Sequence, residues 1–295
     1  MELTRALVIG ASGFFGRRAL AVLGDRGIGT FHGRPFPGGL AFDALTMRIG
    51  DVIDQAGVPF SHAIIPYGAI DMEGCARDPA GTSAVNVVAM VRVIHDLFDR
   101  GIMPVFCSTD YIFDGSKALW RETDPAFPKM AYGAQKLAVE AWLGTRTEPW
   151  LVTRFSKVVS GGRDEAGQLG QWVNDIIAGK PQSCADDQYY SPGFVEDLAG
   201  AVIRLTETGA TGIYHVAGPE RFSRLGLLSL LAGRIEAVKP GLLPPIRAAK
   251  LAEMPFLEKR PLDTSLSITK LQDRIGWRFT TMDTLCERIA RTHFG

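Results

Sequence analysis

Short apolar runs alternate with longer stretches of helical period through the first half of the chain. Leu7-Val8-Ile9, Ile28 to Phe31, Leu40 to Phe42, His62 to Ile65, Met103 to Cys107 and Trp150 to Thr153 are apolar enough to predict buried strands. Between them, Phe14 to Leu23 has helical spacing and stops at Gly24. Ala84 to Phe98 sets Val85, Val88, Val91, Ile94, Leu97 and Phe98 on one broad helical face. Such alternation predicts an α/β fold, a parallel sheet covered by helices on both faces. Beyond Thr153 the pattern loosens. Helices are predicted over Gln171 to Ala178, Val195 to Thr206 and Arg224 to Ile235, with longer loops between them and after them, including Lys239 to Pro255. Residues 1–153 therefore read as the core, and 154–295 as mainly a cap with elements returning to that core.

Composition narrows the class. The 295 residues are 46% hydrophobic and 22% charged, enough to bury a large core without metals or disulfides. Lys plus Arg equals Asp plus Glu at 32 each, so no global field attracts nucleic acid or an anionic membrane surface. A small anionic ligand, which needs only a local cluster of donors, stays open. Cys75, Cys107, Cys184 and Cys286 form no C-x-x-C pair. The run from Ala6 to Ile9 is too short for a signal peptide, and no stretch approaches the ~20 apolar residues of a membrane span, which points to the cytoplasm. The five histidines show no metal-ligand spacing, so no metal site is predicted.

The first strand runs straight into Gly10-Ala11-Ser12-Gly13-Phe14-Phe15-Gly16, a G-x-x-G-x-x-G loop opening a helix. Glycine there permits a tight turn, brings backbone N–H groups close to a pyrophosphate, and lets helix pack on strand. The second strand ends in Thr30-Phe31-His32-Gly33-Arg34, with no acid to take ribose hydroxyls. Arg34 there favours NADP(H) over NAD(H), unless it only solvates the loop. Tyr132 and Lys136 stand at i and i+4 on one predicted helical face, where an ammonium favours the phenolate. Upstream, Cys107-Ser108-Thr109-Asp110-Tyr111 places hydroxyls at the carboxyl edge of the sheet. From that edge Thr109 can donate to a substrate carbonyl, Tyr132 can deliver a proton, and a nicotinamide can deliver hydride.

Taken together these segments resemble the extended short-chain dehydrogenase/reductases, and within them the dTDP-4-dehydrorhamnose reductases. The likeness runs nearly the whole length. It includes Ser108 to Gly115, Asp187-Gln188 with Ser191-Pro192, Val195 to Leu198, Gly212 to His215, and Arg260 to Leu266 followed by Lys270-Leu271. The resemblance implies a Rossmann-type doubly wound parallel sheet with a smaller C-terminal substrate-binding cap, and a catalytic triad of Thr109, Tyr132 and Lys136. It implies cofactor contacts from Gly10, Ser12, Gly13, Phe14, Phe15, Gly16, His32, Arg34, Asp43, Tyr67 and Lys136, the last holding the nicotinamide ribose. Two segments depart from the reductase pattern. Ile65-Pro66-Tyr67-Gly68 stands where an Asn-Ala-Ala-Ala-like segment is usual, and Ser156-Lys157-Val158-Val159-Ser160 where Ser-Trp-Val-Tyr-Gly is usual.

The implied reaction is NADPH-dependent reduction of a keto group, at C4, on a nucleotide-activated deoxysugar. Tyr111, Lys157 and Arg260 are the expected substrate contacts, the two cations facing a diphosphate. Otherwise Lys157 solvates a loop and Arg260 pairs with Asp263 or Glu258. A homodimer is compatible with the family. Two other functions stay in view. Sugar-nucleotide dehydratases and epimerases share the loop and the Tyr-Lys pair, but a dehydratase places Glu after the Thr-Asp step, where this chain has Tyr111. A non-catalytic NADP-binding regulatory subunit can keep the same residues.

Overall fold

The computed structural model describes residues 2–163 and 167–295. Among them, seven strands form one sheet: β1 (Ala6–Val8), β2 (Gly27–Phe31), β3 (Leu40–Ala41), β4 (His62–Ile65), β5 (Met103–Thr109), β6 (Leu151–Phe155) and β7 (Gly212–Val216). Their order is 3-2-1-4-5-6-7, and every neighbouring pair is parallel. The order reverses beside β1, so a crevice opens between the loops that follow β1 and β4. This is the predicted Rossmann-type doubly wound sheet.

Side chains that alternate along each strand enter opposite cores. Ala6, Val8, Ile64, Val105 and Leu151 join one cluster with Ala19 and Leu23 of the helix Phe14–Leu23 and Leu198, Val202 and Leu205 of the helix Val195–Glu207. Leu7, Ala63, Ile65, Phe106 and Val152 join another with Val52, Val93, Ile94, Leu97, Val139 and Leu143. Both faces of β1, β4, β5 and β6 are thus dry, which is why their sequences are continuously apolar rather than alternating. A third cluster links Trp172, Leu227, Leu231, Leu285 and Ile289, from helices Gln168–Ile177, Arg224–Val238 and Met282–Phe294 beyond β6.

Several sequence expectations need correction. The broad face proposed for Ala84 to Phe98 is buried only in part, at Ile94 and Leu97. Residues Ala84–Ala89 form a π-helical turn before the α-helix Met90–Asp99, and the extra residue in that turn rotates the face. Asn86, Ala89, Met90, Val93, Ile94 and Leu97 point inward, whereas Val88 is 68% exposed. Helices Ile49–Ala56 and Met282–Phe294 and the sheet strand β7 were not predicted. The stretch Lys239 to Pro255 contains a strand, Ile246–Ala249, pairing in parallel with Gln182–Ala185.

Candidate active site

A cleft of about 740 Å³ lies along the carboxyl edge of β1, β2, β4, β5 and β6. The glycine loop forms one wall. Gly10 has φ +97°, and a Cβ there would lie 2.9 Å from that of Tyr67, so only glycine fits. A Cβ on Gly16 would lie 2.3 Å from the Gly10 carbonyl, so this glycine lets the first helix pack onto the loop. Thr30 closes the turn by accepting from the Gly10 N–H at 3.0 Å. Gly13, the residue before the helix, provides no side-chain cap, so the first-turn N–H groups face the cleft without a side-chain acceptor of their own. A backbone cradle at a helix N-terminus fits the pyrophosphate of a dinucleotide. Ser12, Phe14, Phe15, His32 and Asp43 line the same end. The Tyr67 hydroxyl, buried beside them, has no partner among the described residues.

At the other end, Thr109 ends β5 and its hydroxyl accepts from the Tyr111 N–H at 3.2 Å, capping a short 3₁₀ turn over Asp110–Ile112. The helix Ala131–Leu143 starts against that turn. A Cβ on Gly133 would be 2.1 Å from the Tyr111 carbonyl, so glycine permits the contact that sets Tyr132 beside Thr109. Glu258 completes the helix start by accepting from the Ala131 N–H at 3.0 Å. Lys136, one turn on, is buried and donates from Nζ to the Cys107 carbonyl at 2.9 Å, 4.7 Å from the Phe106 ring centroid. The cleft therefore brings Thr109, Tyr132 and Lys136 together with the glycine loop.

Electrostatics at this centre follow burial first. Burial and then the Asp110 carboxylate push the Tyr132 phenol above its ordinary range, and a hydrogen bond with Thr109 opposes them. The expectation that Lys136 lowers the phenol is thus overridden, and Tyr132 is a neutral phenol at physiological pH. Burial lowers Lys136 to about 8, with Cys107, Glu140 and Cys75 opposing. Lys157 also falls to about 8, through burial and then the nearby Arg224 guanidinium. Tyr111 rises to about 12, from burial and then Asp110.

Two of the expected contacts do not line the cleft. Arg34 is exposed on the loop after β2 and does not line the cleft. An acid does reach that end, from beyond β3 rather than β2: Asp43 lines the cleft and accepts from the Leu45 N–H at 2.9 Å and the Thr46 hydroxyl at 2.9 Å. Those bonds hold its carboxyl below the usual range. Arg260 does not line the cleft either. Its side chain is 5% exposed and pairs with Glu73, against Phe256 at 4.6 Å and Tyr111 at 6.0 Å. Neither partner foreseen for it is used, because Asp263 pairs with Arg221 and Glu258 caps the Tyr132 helix. Tyr111 and Lys157 do line the cleft.

The sequence reading also passed over residues that shape the site. Asn86, on the π turn, accepts from the Ala69 N–H at 2.7 Å and donates to Gln135 at 2.7 Å, fixing the loop after β4 to the Tyr132 helix. A π turn is not legible from apolar spacing. Away from the cleft, ligand atoms of His95, Asp96 and Asp99 lie within 4.8 Å of one another, an approach histidine spacing did not suggest. Arg48 pairs with Asp96, and His95 with Asp99 at 3.2 Å.

The fold and the cleft together define a Rossmann-type α/β protein whose sheet edge joins a dinucleotide cradle to a Thr-Tyr-Lys centre. The chain belongs to the RmlD substrate binding domain family, which it matches over residues 5–292. It is 26% identical to the probable low-salt glycan biosynthesis reductase Agl14 of Haloferax volcanii, over 94% of each chain. It is 27% identical to the dTDP-4-dehydrorhamnose reductase of Aggregatibacter actinomycetemcomitans, over 93% of this chain and 94% of that one. Among solved structures, a hypothetical dTDP-4-dehydrorhamnose reductase from Sulfolobus tokodaii aligns with a TM-score of 0.83 and 27% identity, over 95% of this chain and 98% of that one. The Bacillus anthracis dTDP-4-dehydrorhamnose reductase, solved with NADP, shares the fold at a TM-score of 0.81 and 18% identity, covering 99% of this chain and 100% of that one. No helix of the described residues is long and apolar enough to cross a membrane.

Proposed function

We propose that the protein is an NADPH-dependent oxidoreductase that reduces a keto group, at C4, on a nucleotide-activated deoxysugar. One observation carries the reading: a single cleft holds the Gly10–Gly16 cradle at one end and Thr109, Tyr132 and Lys136 at the other. Relatives named as dTDP-4-dehydrorhamnose reductases, and a related structure solved with NADP, support it. When bound, NADPH supplies hydride. The glycine loop would hold the pyrophosphate, Asp43 and His32 would border the adenosine, and Lys136 would hold the nicotinamide ribose. Tyr132 gives its phenolic proton to the oxygen of the reduced carbonyl, and Thr109 orients that phenol. Lys157, which lines the cleft and feels the Arg224 charge, provides positive charge for a diphosphate. Residues beyond β6, apart from β7 and the helix Val195–Glu207 that return to the sheet, make up the cap that encloses the sugar, and the four buried free cysteines fit the reducing cytoplasm.

The test is NADPH oxidation with dTDP-4-dehydrorhamnose and a panel of other nucleotide keto-sugars, followed by product stereochemistry. Steady turnover of a keto-sugar is the expected result. Tight NADPH binding with no turnover of any member would instead identify a binding module on a reductase fold.

A further inference from the structure

Asp110 is ringed by hydroxyls from three separate segments. Thr109, at the end of β5, donates to Oδ1 at 3.2 Å, and Ser156, just past β6, donates to Oδ2 at 2.9 Å. Thr264, from the C-terminal block, adds a third hydrogen bond. The carboxyl is 4% exposed yet lines the cleft. The charged and titratable groups around it are Lys157 beyond β6, the Tyr132 phenol on its helix, and Tyr111 on its own turn, with Arg224 and Arg260 acting on Lys157. Burial is the dominant influence and raises Asp110 to about 6, against those hydroxyl bonds and Lys157.

The Thr109 hydroxyl has one hydrogen and two acceptor positions. One position takes the Tyr111 N–H, and an ionised Asp110 holds the hydrogen. The Tyr132 phenol shares a hydrogen bond with the same hydroxyl, and as a neutral donor it would have to use the remaining lone pair. In that state Thr109 has no hydrogen left for a substrate carbonyl. Its natural place is in a chain, phenol to threonine to carboxyl.

We propose that Thr109 and Asp110 form a proton relay behind Tyr132, with Asp110 resupplying the proton that Tyr132 gives away. The proposal rests on the reductase reading. The Tyr132 O–H bond breaks as a proton moves to the substrate oxygen left charged by hydride addition, forming the alcohol O–H. The phenolate then takes the Thr109 hydroxyl proton, Thr109 takes the Asp110 carboxyl proton, and the carboxylate is reprotonated from solvent. The net transfer is one hydride from NADPH and one proton from water. Asp110 acts through Thr109 and is a positioning and relay residue.

Two measurements test the relay. Infrared difference spectra of the ligand-free protein are expected to show a carboxylic-acid band that vanishes as pH rises through about 6. The band should be absent in Asp110→Asn, shifted in Thr109→Val and retained in Thr109→Ser. With NADPH and dTDP-4-dehydrorhamnose as probes, kcat should fall with rising pH above that midpoint. Thr109→Ser should keep this limb, while Asp110→Asn should lose it together with roughly tenfold or more of kcat and less than about a twofold change in KM. If Asp110→Asn does not fold, Ser156→Ala keeps the carboxyl but removes one donor, and should move the band's midpoint upward. Wild-type kcat and pH profile in Asp110→Asn would overturn the relay, as would the lack of a titrating Asp110 band. A wild-type protein that shows the band but does not reduce this sugar would overturn the proposed substrate, and the Thr109 variants would still decide the relay by spectroscopy.

Discussion

Lys136 donates from Nζ to the Cys107 carbonyl at 2.9 Å, tying the Tyr132 helix to the strand that ends in Thr109. The bond fixes the ammonium on the floor of the cleft but compensates only part of the cost of burying a charge. Burial lowers Lys136 from 10.5 to about 8, so between those values the unfolded chain binds the extra proton and stability rises with pH. Below about 8 the cost is fully present, on the order of 3 kcal/mol, against about 1 kcal/mol for the lost hydrogen bond. Lys136→Met is therefore expected to unfold at the same or a higher temperature at pH 7 while losing NADPH affinity and turnover. A drop of several degrees in a calorimetric scan would show that the charge is better compensated than this.

Tyr132→Phe separates packing from chemistry. The ring keeps its place beside Thr109, while the proton donor is gone. NADPH affinity should stay within about twofold, and turnover of a keto-sugar should fall by about 10² to 10⁴-fold. Wild-type turnover in this variant, measured by NADPH oxidation, would remove Tyr132 from the proton step.

Four residues beyond Lys136 on the same helix, Glu140 meets Arg154 of β6 in an ion pair with side chains 2% and 4% exposed. Ser108 also donates to Glu140, and Arg154 lies 3.4 Å from His215 Nε2. Burial and then the Arg154 charge lower His215 to about 3, so it is neutral at physiological pH. Glu140→Leu strands the guanidinium in a dry core and should cost about 3 to 5 kcal/mol in urea unfolding. Glu140→Gln retains shape and hydrogen bonding and should cost less. Equal losses would mean that the charge at this position contributes nothing.

The glycine loop, Thr109 and the Tyr132–Lys136 pair were legible because each depends on short-range spacing: a turn beside a strand, or two positions one helical turn apart. Tyr132 reaches Thr109 because Gly133 admits the Tyr111 carbonyl, a contact across 22 residues that spacing alone does not reveal. Arg260 shows the opposite case. Its partner Glu73 lies 187 residues away, and the pair formed on folding withdraws the guanidinium from the cleft lining. Asp110 was read as part of a motif, but the donors that define it, Ser156 and Thr264, come from segments the sequence does not place nearby. Apolar periodicity sets Val88 on the same face as Ile94 and Leu97 because it assumes an unbroken α-helix, and the π turn breaks that assumption.

Cofactor choice turns on the loop after β2. Asp43, beyond β3, brings a carboxylate to the end of the cleft proposed for the adenosine, where it would oppose a 2′-phosphate, while His32 lines the rim and Arg34 is exposed on the loop after β2. We expect Arg34 to reach over that rim to the phosphate, so Arg34→Ala should weaken NADPH binding about tenfold and leave NADH unchanged. Asp43→Asn should favour NADPH further. Calorimetric titration of both cofactors decides it: equal losses for NADH and NADPH in Arg34→Ala would show that Arg34 does not read the phosphate.

Lys157 should control the sugar-nucleotide side of the cleft through its charge. It lines the cleft beyond β6, and burial followed by Arg224 lowers it to about 8, with Asp110 opposing and Arg260 adding to the lowering. A cation that loses its proton as pH rises through about 8 should weaken capture of a diphosphate-linked substrate in the same interval, so kcat/KM for a nucleotide sugar should fall above that pH. Lys136 titrates in the same range, and the variant separates the two. Lys157→Ala should raise KM roughly tenfold at pH 7, leave NADPH affinity unchanged, and lose the part of the alkaline limb that appears in KM. Lys157→Arg should restore low KM and move that limb beyond the measured range, because a guanidinium keeps its charge. If Lys157→Ala has wild-type KM and the same alkaline limb, the diphosphate is bound elsewhere and the limb belongs to Lys136.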